Sequence, residues 1–311
     1  MQIIVPDYYK EFSCIADRCR HSCCIGWEID IDRDSLARFD ALDTPYGEVL
    51  RGRIDRTGEA PHFRLGEGER CPFLRFDGLC EMILELGEDS LCQICADHPR
   101  FRSYFAHRTE LGLGLCCEAA GALILKRRER VKLEVLSDDG APEEADGEEE
   151  ALLAFREMLF DILQDRGCTI DERLEELLET CGAPVMDFNA RNWADRLLKL
   201  ERLDEEWTAF LVDLENRTVP PRLREPEWER AFEQAAVYFL FRHLPAALED
   251  GDIPSKAAFA AVSVYFLRAL CAMVEEPTLD DLVEFARMYS AEVEYSEENL
   301  ERVFGWLSAG T

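Results

Sequence analysis

At 311 residues, 47 % apolar and 32 % charged, the chain has a globular balance with room for one large domain or two ordinary ones, which excludes disordered and fibrous classes. Sixty-five acidic against 35 basic side chains leave a formal charge of −30. A surface of that sign repels nucleic-acid phosphates and anionic lipid and draws lysine-rich partners, so a protein or peptide partner is expected, with no nucleic acid and no membrane. No run approaches about 18 consecutive apolar residues, and the opening MQIIVPDYYKEF is too short and polar for a secretory leader, so the chain reads as cytoplasmic.

In chain order, WEIDID (27–32) alternates like a short strand, and RTGEAPHFRLGEGER (56–70) reads as loop. Few long apolar runs precede the LGLG turn at 111–114. The first part is therefore expected to be irregular, with little β structure and a need for a metal or disulfide staple. SDDGAPEEADGEEE (137–150) carries no large apolar residue and repels itself, which predicts a solvated linker over 138–150. Residues 1–137 carry 19 basic and 24 acidic side chains, net −5, and the remainder 16 and 41, net −25.

Beyond the linker, apolar residues recur three and four apart in 154–164, 171–180, 189–203, 227–244, 256–274, 280–293 and 298–307. Asp171, Pro226, Pro254 and Ser296 read as helix-start signals. The expected class is mainly α: an irregular cysteine-rich metal domain (1–137), an acidic linker (138–150) and an all-α helical bundle (151–311). Segments 231–241 and 257–274 are apolar almost all round and should lie centrally.

Ten of the thirteen cysteines fall within the first part: Cys14, Cys19, Cys23, Cys24, Cys71, Cys80, Cys92, Cys95, Cys116 and Cys117. Disulfides suit oxidising compartments, whereas reduced thiolates bind zinc or iron. One CxxC pair, Cys92 and Cys95, is present; the other spacings are irregular and include the adjacent pairs Cys23–Cys24 and Cys116–Cys117. Adjacent side chains in extended backbone point apart, which favours one or two iron–sulfur clusters over a single tetrahedral zinc site, with zinc as the alternative metal. Cys168, Cys181 and Cys271 lie in or beside helical patterns and read as packing residues.

CxxxxCxxxCC followed by GWEIDID (Cys14 to Asp32), CPFLRFDGLC (71–80), LGEDSLCQICADHPR (86–100) and CCE (116–118) resemble the flagellin lysine-N-methylase family, within the broader group of CxxCxxCC-type zinc- or iron-chelating proteins. The resemblance covers roughly the first 120 residues, and the helical part matches only in general character. It implies methyl transfer from S-adenosylmethionine to lysine side chains of flagellin, with a 4Fe-4S cluster held by these cysteines. A metal-binding module without catalysis and a redox or iron-handling protein are the rival readings.

Lysine methylation needs a neutral amine, so desolvation or a base must remove a proton from a group of pKa about 10.4. Candidate carboxylates are Asp77, Glu81, Asp97 and Glu118, with Tyr104 and Trp27 as possible walls of a methylammonium pocket. His21 and His98 are candidate metal ligands, and Arg100 and Arg102 candidate partners for a cofactor carboxylate or an anionic cluster. No GxGxxG follows a strand pattern and no CxxxCxxC is present, so neither a Rossmann cofactor site nor ordinary radical chemistry is expected. An iron with an open position would instead chelate the donor's amino and carboxylate groups.

Overall fold

The computed structural model describes residues 1–58, 60–140, 146–184, 187–219 and 223–308. It is mainly helical, as expected. Its compact units, however, do not divide at the acidic segment: Ser13–Arg100 forms one, and Met1–Phe12 with Phe101–Thr311 the other. The reason is strand pairing across long sequence separations.

In the larger unit, β1 (Gln2–Pro6) pairs in parallel with β5 (Arg108–Leu113) and antiparallel with β6 (Leu133–Asp138), while β4 (Arg100–Tyr104) lies beside β5, giving the order β4-β5-β1-β6. The β1 register brings Gln2 opposite Arg108 and Asp138, with a bulge between Ile3 and Ile4. Thus the start of the chain is tied to segments a hundred residues away. The expected linker is part strand up to Asp138 and part helix from Gly147; its residues 141–145 lie outside the described residues.

Gly112 on β5 faces the Phe101 ring so closely that a Cβ there would overlap it. Phe101 in turn packs edge-on against Tyr238, 6.3 Å between centroids. Gly112→Ala should therefore cost about 1–3 kcal/mol by overpacking. Urea denaturation checks this, and an unchanged midpoint would show that the ring yields freely.

Several helices of this unit start at or close to the signalled positions. Pro226 and Pro254 sit in the first turns of Pro226–His243 and Ile253–Met273, and Thr169, two residues before the expected Asp171, closes a capping box with Glu172. Both central segments are buried along their length. Ile253–Met273 is apolar enough to cross a membrane, yet 83 % of that window is buried inside the protein, as in a core helix. The 189–203 pattern ends early, at Leu197, because Arg202 donates to the Leu200 carbonyl (2.6 Å) and Asp204 caps a further helix, Glu205–Asn216. That helix and Glu118–Leu125 are absent from the sequence reading.

The smaller unit contains β2 (Ile54–Asp55), β3 (His62–Phe63) and short helices. WEIDID is extended rather than a strand: Ile29 and Ile31 point inward and Glu28 and Asp30 outward, but one isolated bridge, Asp30 to His62, replaces a ladder. Among the described residues its core is ten buried side chains, and two of these are Cys71 and Cys92.

Candidate functional site

All thirteen cysteines are free thiols, so the disulfide alternative finds no bridge here. Within Ser13–Arg100, three separate segments bring five thiols together. Cys24 comes from the loop before WEIDID, Cys71 and Cys80 from either end of CPFLRFDGLC, and Cys92 and Cys95 from the CxxC turn.

Local hydrogen bonds fix each segment. The Cys71 N–H donates to the Cys24 carbonyl (2.8 Å), and the Arg53 guanidinium donates to the Pro72 carbonyl (2.8 Å) and pairs with Glu81 (2.7 Å). Gly78, at φ +80°, makes the bend that returns the chain to Cys80. Asp32 caps two helices at once, accepting from Ser35 N–H (2.9 Å) and from Gln93 N–H (2.7 Å), and so holds Cys92 beside the extended segment. Arg38 donates to the carbonyls of Asp89 (2.7 Å) and Leu91 (3.0 Å) from the same side. Asp32→Ala should remove about 1–2 kcal/mol of capping and loosen Cys92. The check is the urea unfolding midpoint; an unchanged midpoint would mean that Arg38 alone holds the turn.

The electrostatics favour one thiolate in each neighbouring pair. Hydrogen bonds from Cys23 and Cys71 pull the Cys24 thiol down to about 3, and the bond to Cys24, with burial, pushes Cys71 up. Cys95 does the same for Cys92, lowering it while itself rising. Burial raises Cys80. Soft, reduced sulfurs, two buried and three half-buried, are the donor set of a thiophilic metal, so these residues fit one. Among the described residues, no three of the sulfurs lie within 4.8 Å of one another. A tetrahedron of roughly 2.3 Å zinc–sulfur bonds would bring its ligands closer than that.

The remaining candidates scatter. Cys14 accepts from Ala16 N–H (3.4 Å) and Cys19 donates to the His21 carbonyl (3.3 Å), whereas Cys23, though exposed, stays hydrogen-bonded to the Cys24 thiol. His21 is half-buried. His98, also half-buried, stands 6.4 Å from Trp27, whose indole donates to the Cys23 carbonyl (2.7 Å). Trp27 thus packs, half-buried, against the small core of this unit. Asp77 is paired with Arg75 (2.7 Å) in the turn, Glu81 with Arg53, and Asp97 accepts from Gln93 (2.6 Å). The first two therefore have structural partners. Tyr104 is 74 % exposed on β4. Arg100 reaches the Ala96 carbonyl (3.4 Å), whereas Arg102 is exposed in the other unit. Cys116, Cys117 and Glu118 also belong to that larger unit, so the ten cysteines do not form one domain.

The larger unit holds a buried polar network that the sequence reading missed. The π-helical turn Ser290–Glu294 carries Glu294 inward, fully buried, against three residues of Pro226–His243. Glu294 accepts from His243 Nε2 (2.7 Å) and Tyr238 Oη (3.1 Å) and pairs with Arg242 (3.3 Å). Tyr238 Oη also accepts from Arg242 (2.9 Å) and from Leu115 N–H (3.2 Å), tying the end of β5 to the bundle. Arg242 lies between the rings of Phe101 (4.8 Å) and Tyr295 (4.6 Å). Burial opposes charge on Glu294, but Arg242 and His243 outweigh it and hold the carboxyl below its ordinary value. Burial also pushes the neighbouring Cys116 thiol up to about 12, although Tyr295 and Arg242 work against it. The available signal was Arg242-His243 directly after the apolar run Ala235–Phe241; π-turns of this kind recur at functional sites.

Residues 185–310 match the family model of the FliB lysine N-methylase C-terminal domain. That stretch, under half of the chain, is what is similar to the lysine N-methylase family. Similar proteins include the lysine-N-methylases of Salmonella typhimurium and Salmonella choleraesuis, each 27 % identical over 126 residues, covering 39 % of this chain and 31 % of theirs. The flagellar biosynthetic protein FliU of Salmonella muenchen is 27 % identical over 129 residues, 39 % of this chain and 75 % of its own. The match thus spans under a third of the two methylases. No solved structure matches. The family model falls on the helical part, where the resemblance seen in the cysteine motifs had been only general, and it contains Tyr238, Arg242, His243 and Glu294.

Proposed function

We propose that this protein N-methylates lysine side chains of flagellin or a similar protein or peptide, with S-adenosylmethionine as donor and an iron–sulfur cluster held by Cys24, Cys71, Cys80, Cys92 and Cys95. The observation that carries the reading is the convergence of reduced thiols from three segments in a small unit, in a chain whose helical part matches a lysine N-methylase domain.

The acidic helical part, net −25, attracts a cationic lysine, and transfer to a drier surface favours loss of its proton. The neutral amine nitrogen then attacks the sulfonium methyl. A C–N bond forms as the C–S bond breaks, its electron pair stays on sulfur as a thioether, and the methylated nitrogen gives up a proton to solvent or a carboxylate. When bound, the cluster would supply Lewis-acidic iron for the donor's amino and carboxylate groups. The chain's own residues hold the thiols in place through Asp32, Arg38 and Arg53.

Anaerobic purification with iron, sulfide and zinc quantification, followed by intact mass of flagellin incubated with S-adenosylmethionine, tests both halves of the reading. Increments of a methyl group with iron and sulfide present are expected. Stoichiometric zinc in colourless protein would overturn the cluster, and metal-loaded protein giving no increments would leave a stapled metal-binding module.

A further inference from the structure

The helical unit holds a cavity of about 480 Å³ that shares no lining residue with the Glu294 network, and its size suits a small molecule. Its charge runs against that of the surrounding chain. Residues 138–311 carry 41 acidic and 16 basic side chains, yet four arginines, Arg191, Arg217, Arg224 and Arg268, line this cavity, and no carboxylate does among the described lining residues.

Helix geometry supplies the arrangement. Arg191, in the first turn of Ala190–Leu197, donates to the Arg217 carbonyl (2.7 Å) and to Thr218 Oγ1 (2.6 Å), which fixes it against the following segment. Arg268 and Tyr265 come from the core helix Ile253–Met273, with the guanidinium 5.2 Å from the ring. Tyr265 and Phe188 are ring neighbours, 5.5 Å between centroids. Two carboxylates that are not among the described lining residues pair with three of the guanidiniums: Asp171 takes Arg268 (2.6 Å) and Arg224 (3.1 Å), and Asp213 takes Arg217 (2.6 Å). Glu175 bears on Tyr265 from the Asp171 helix. Four guanidiniums against two contacting carboxylates leave the wall positive.

A positive wall disfavours both a lysine side chain and a sulfonium methyl donor. Guanidinium forks match the geometry of phosphate oxygens, and an aromatic pair offers a face to a planar base. We propose that this cavity binds a nucleoside phosphate, the phosphate on the arginines and the base against Phe188 and Tyr265. This rests on the cavity alone and does not depend on the methylase reading.

Isothermal titration of the full chain with adenosine monophosphate, adenosine, inorganic phosphate and S-adenosylmethionine tests it. The monophosphate should bind, the other three at least about tenfold more weakly, and Arg268→Gln should weaken it at least about tenfold. Arg224→Gln, at an exposed position, should weaken it in the same direction with the circular dichroism spectrum unchanged, while Lys199→Gln leaves it unaffected. Absence of heat with the monophosphate, equal binding of any of the other three probes, or arginine variants that bind like the wild type would overturn the assignment.

Discussion

Replacing Cys92 or Cys95 with serine should strip the metal and unfold the Ser13–Arg100 unit. Serine is close in size to cysteine, so packing alone would lose little; the effect comes from sulfur as a ligand. The unit's core is ten side chains, too small to offset chain entropy comfortably, and two of the ten are themselves thiols. Where a metal holds so small a core, its binding energy is folding energy, of the order of 10 kcal/mol in structural zinc sites. The measurement is metal content together with limited proteolysis, with cleavage expected inside 13–100. Cys271 gives the contrast. It is fully buried in Ile253–Met273, where burial and, less strongly, Asp281 raise its thiol, and its replacement should cost on the order of 1–2 kcal/mol with metal retained. Equal metal loss at Cys271 and Cys92 would refute this partition.

Glu294→Ala should be the most damaging change in the larger unit, about 3–5 kcal/mol, because it leaves Arg242 and His243 buried without their carboxylate. The pH dependence follows from the same network. The folded carboxyl titrates below its unfolded value of about 4.3, so its stabilisation is present above that value and is lost as pH falls through the lower folded one. Burial lowers His243 against the opposing pull of Glu294, so the fold favours neutral imidazole and that contribution also fades as pH falls below about 6.5. Urea midpoints against pH should therefore decline on the acid side in the wild type. In Glu294→Ala the decline below about pH 4.5 should flatten. A variant that kept the full acid limb would place the titrating group elsewhere.

Much of the helical part was legible because an amphipathic or wholly apolar repeat is local information. Pro226, Pro254 and the runs at 231–241 and 257–274 each announce themselves within a few turns. Glu205–Asn216 is harder to see because its apolar residues bunch at 209–212 and the helical pattern before it runs on to 203 in sequence. The cysteines were visible as a set, but their partition was not. Cys116 and Cys117 stand in a motif with the others, and strand pairing places them in a different unit. Likewise, nothing adjacent in sequence tells Glu294 that it will face His243, 51 residues earlier.

The sequence by itself determined composition, charge, the helical class and the supply of reduced sulfur, since each is a property of residue type or of spacing within one element. Only the tertiary structure decided that Met1–Phe12 joins the later chain through β1, which thiols neighbour one another, and that four arginines from separate helices and loops gather at one cavity. Those outcomes depend on contacts between residues far apart in the chain, where backbone hydrogen bonds and burial, rather than local propensity, choose the partner.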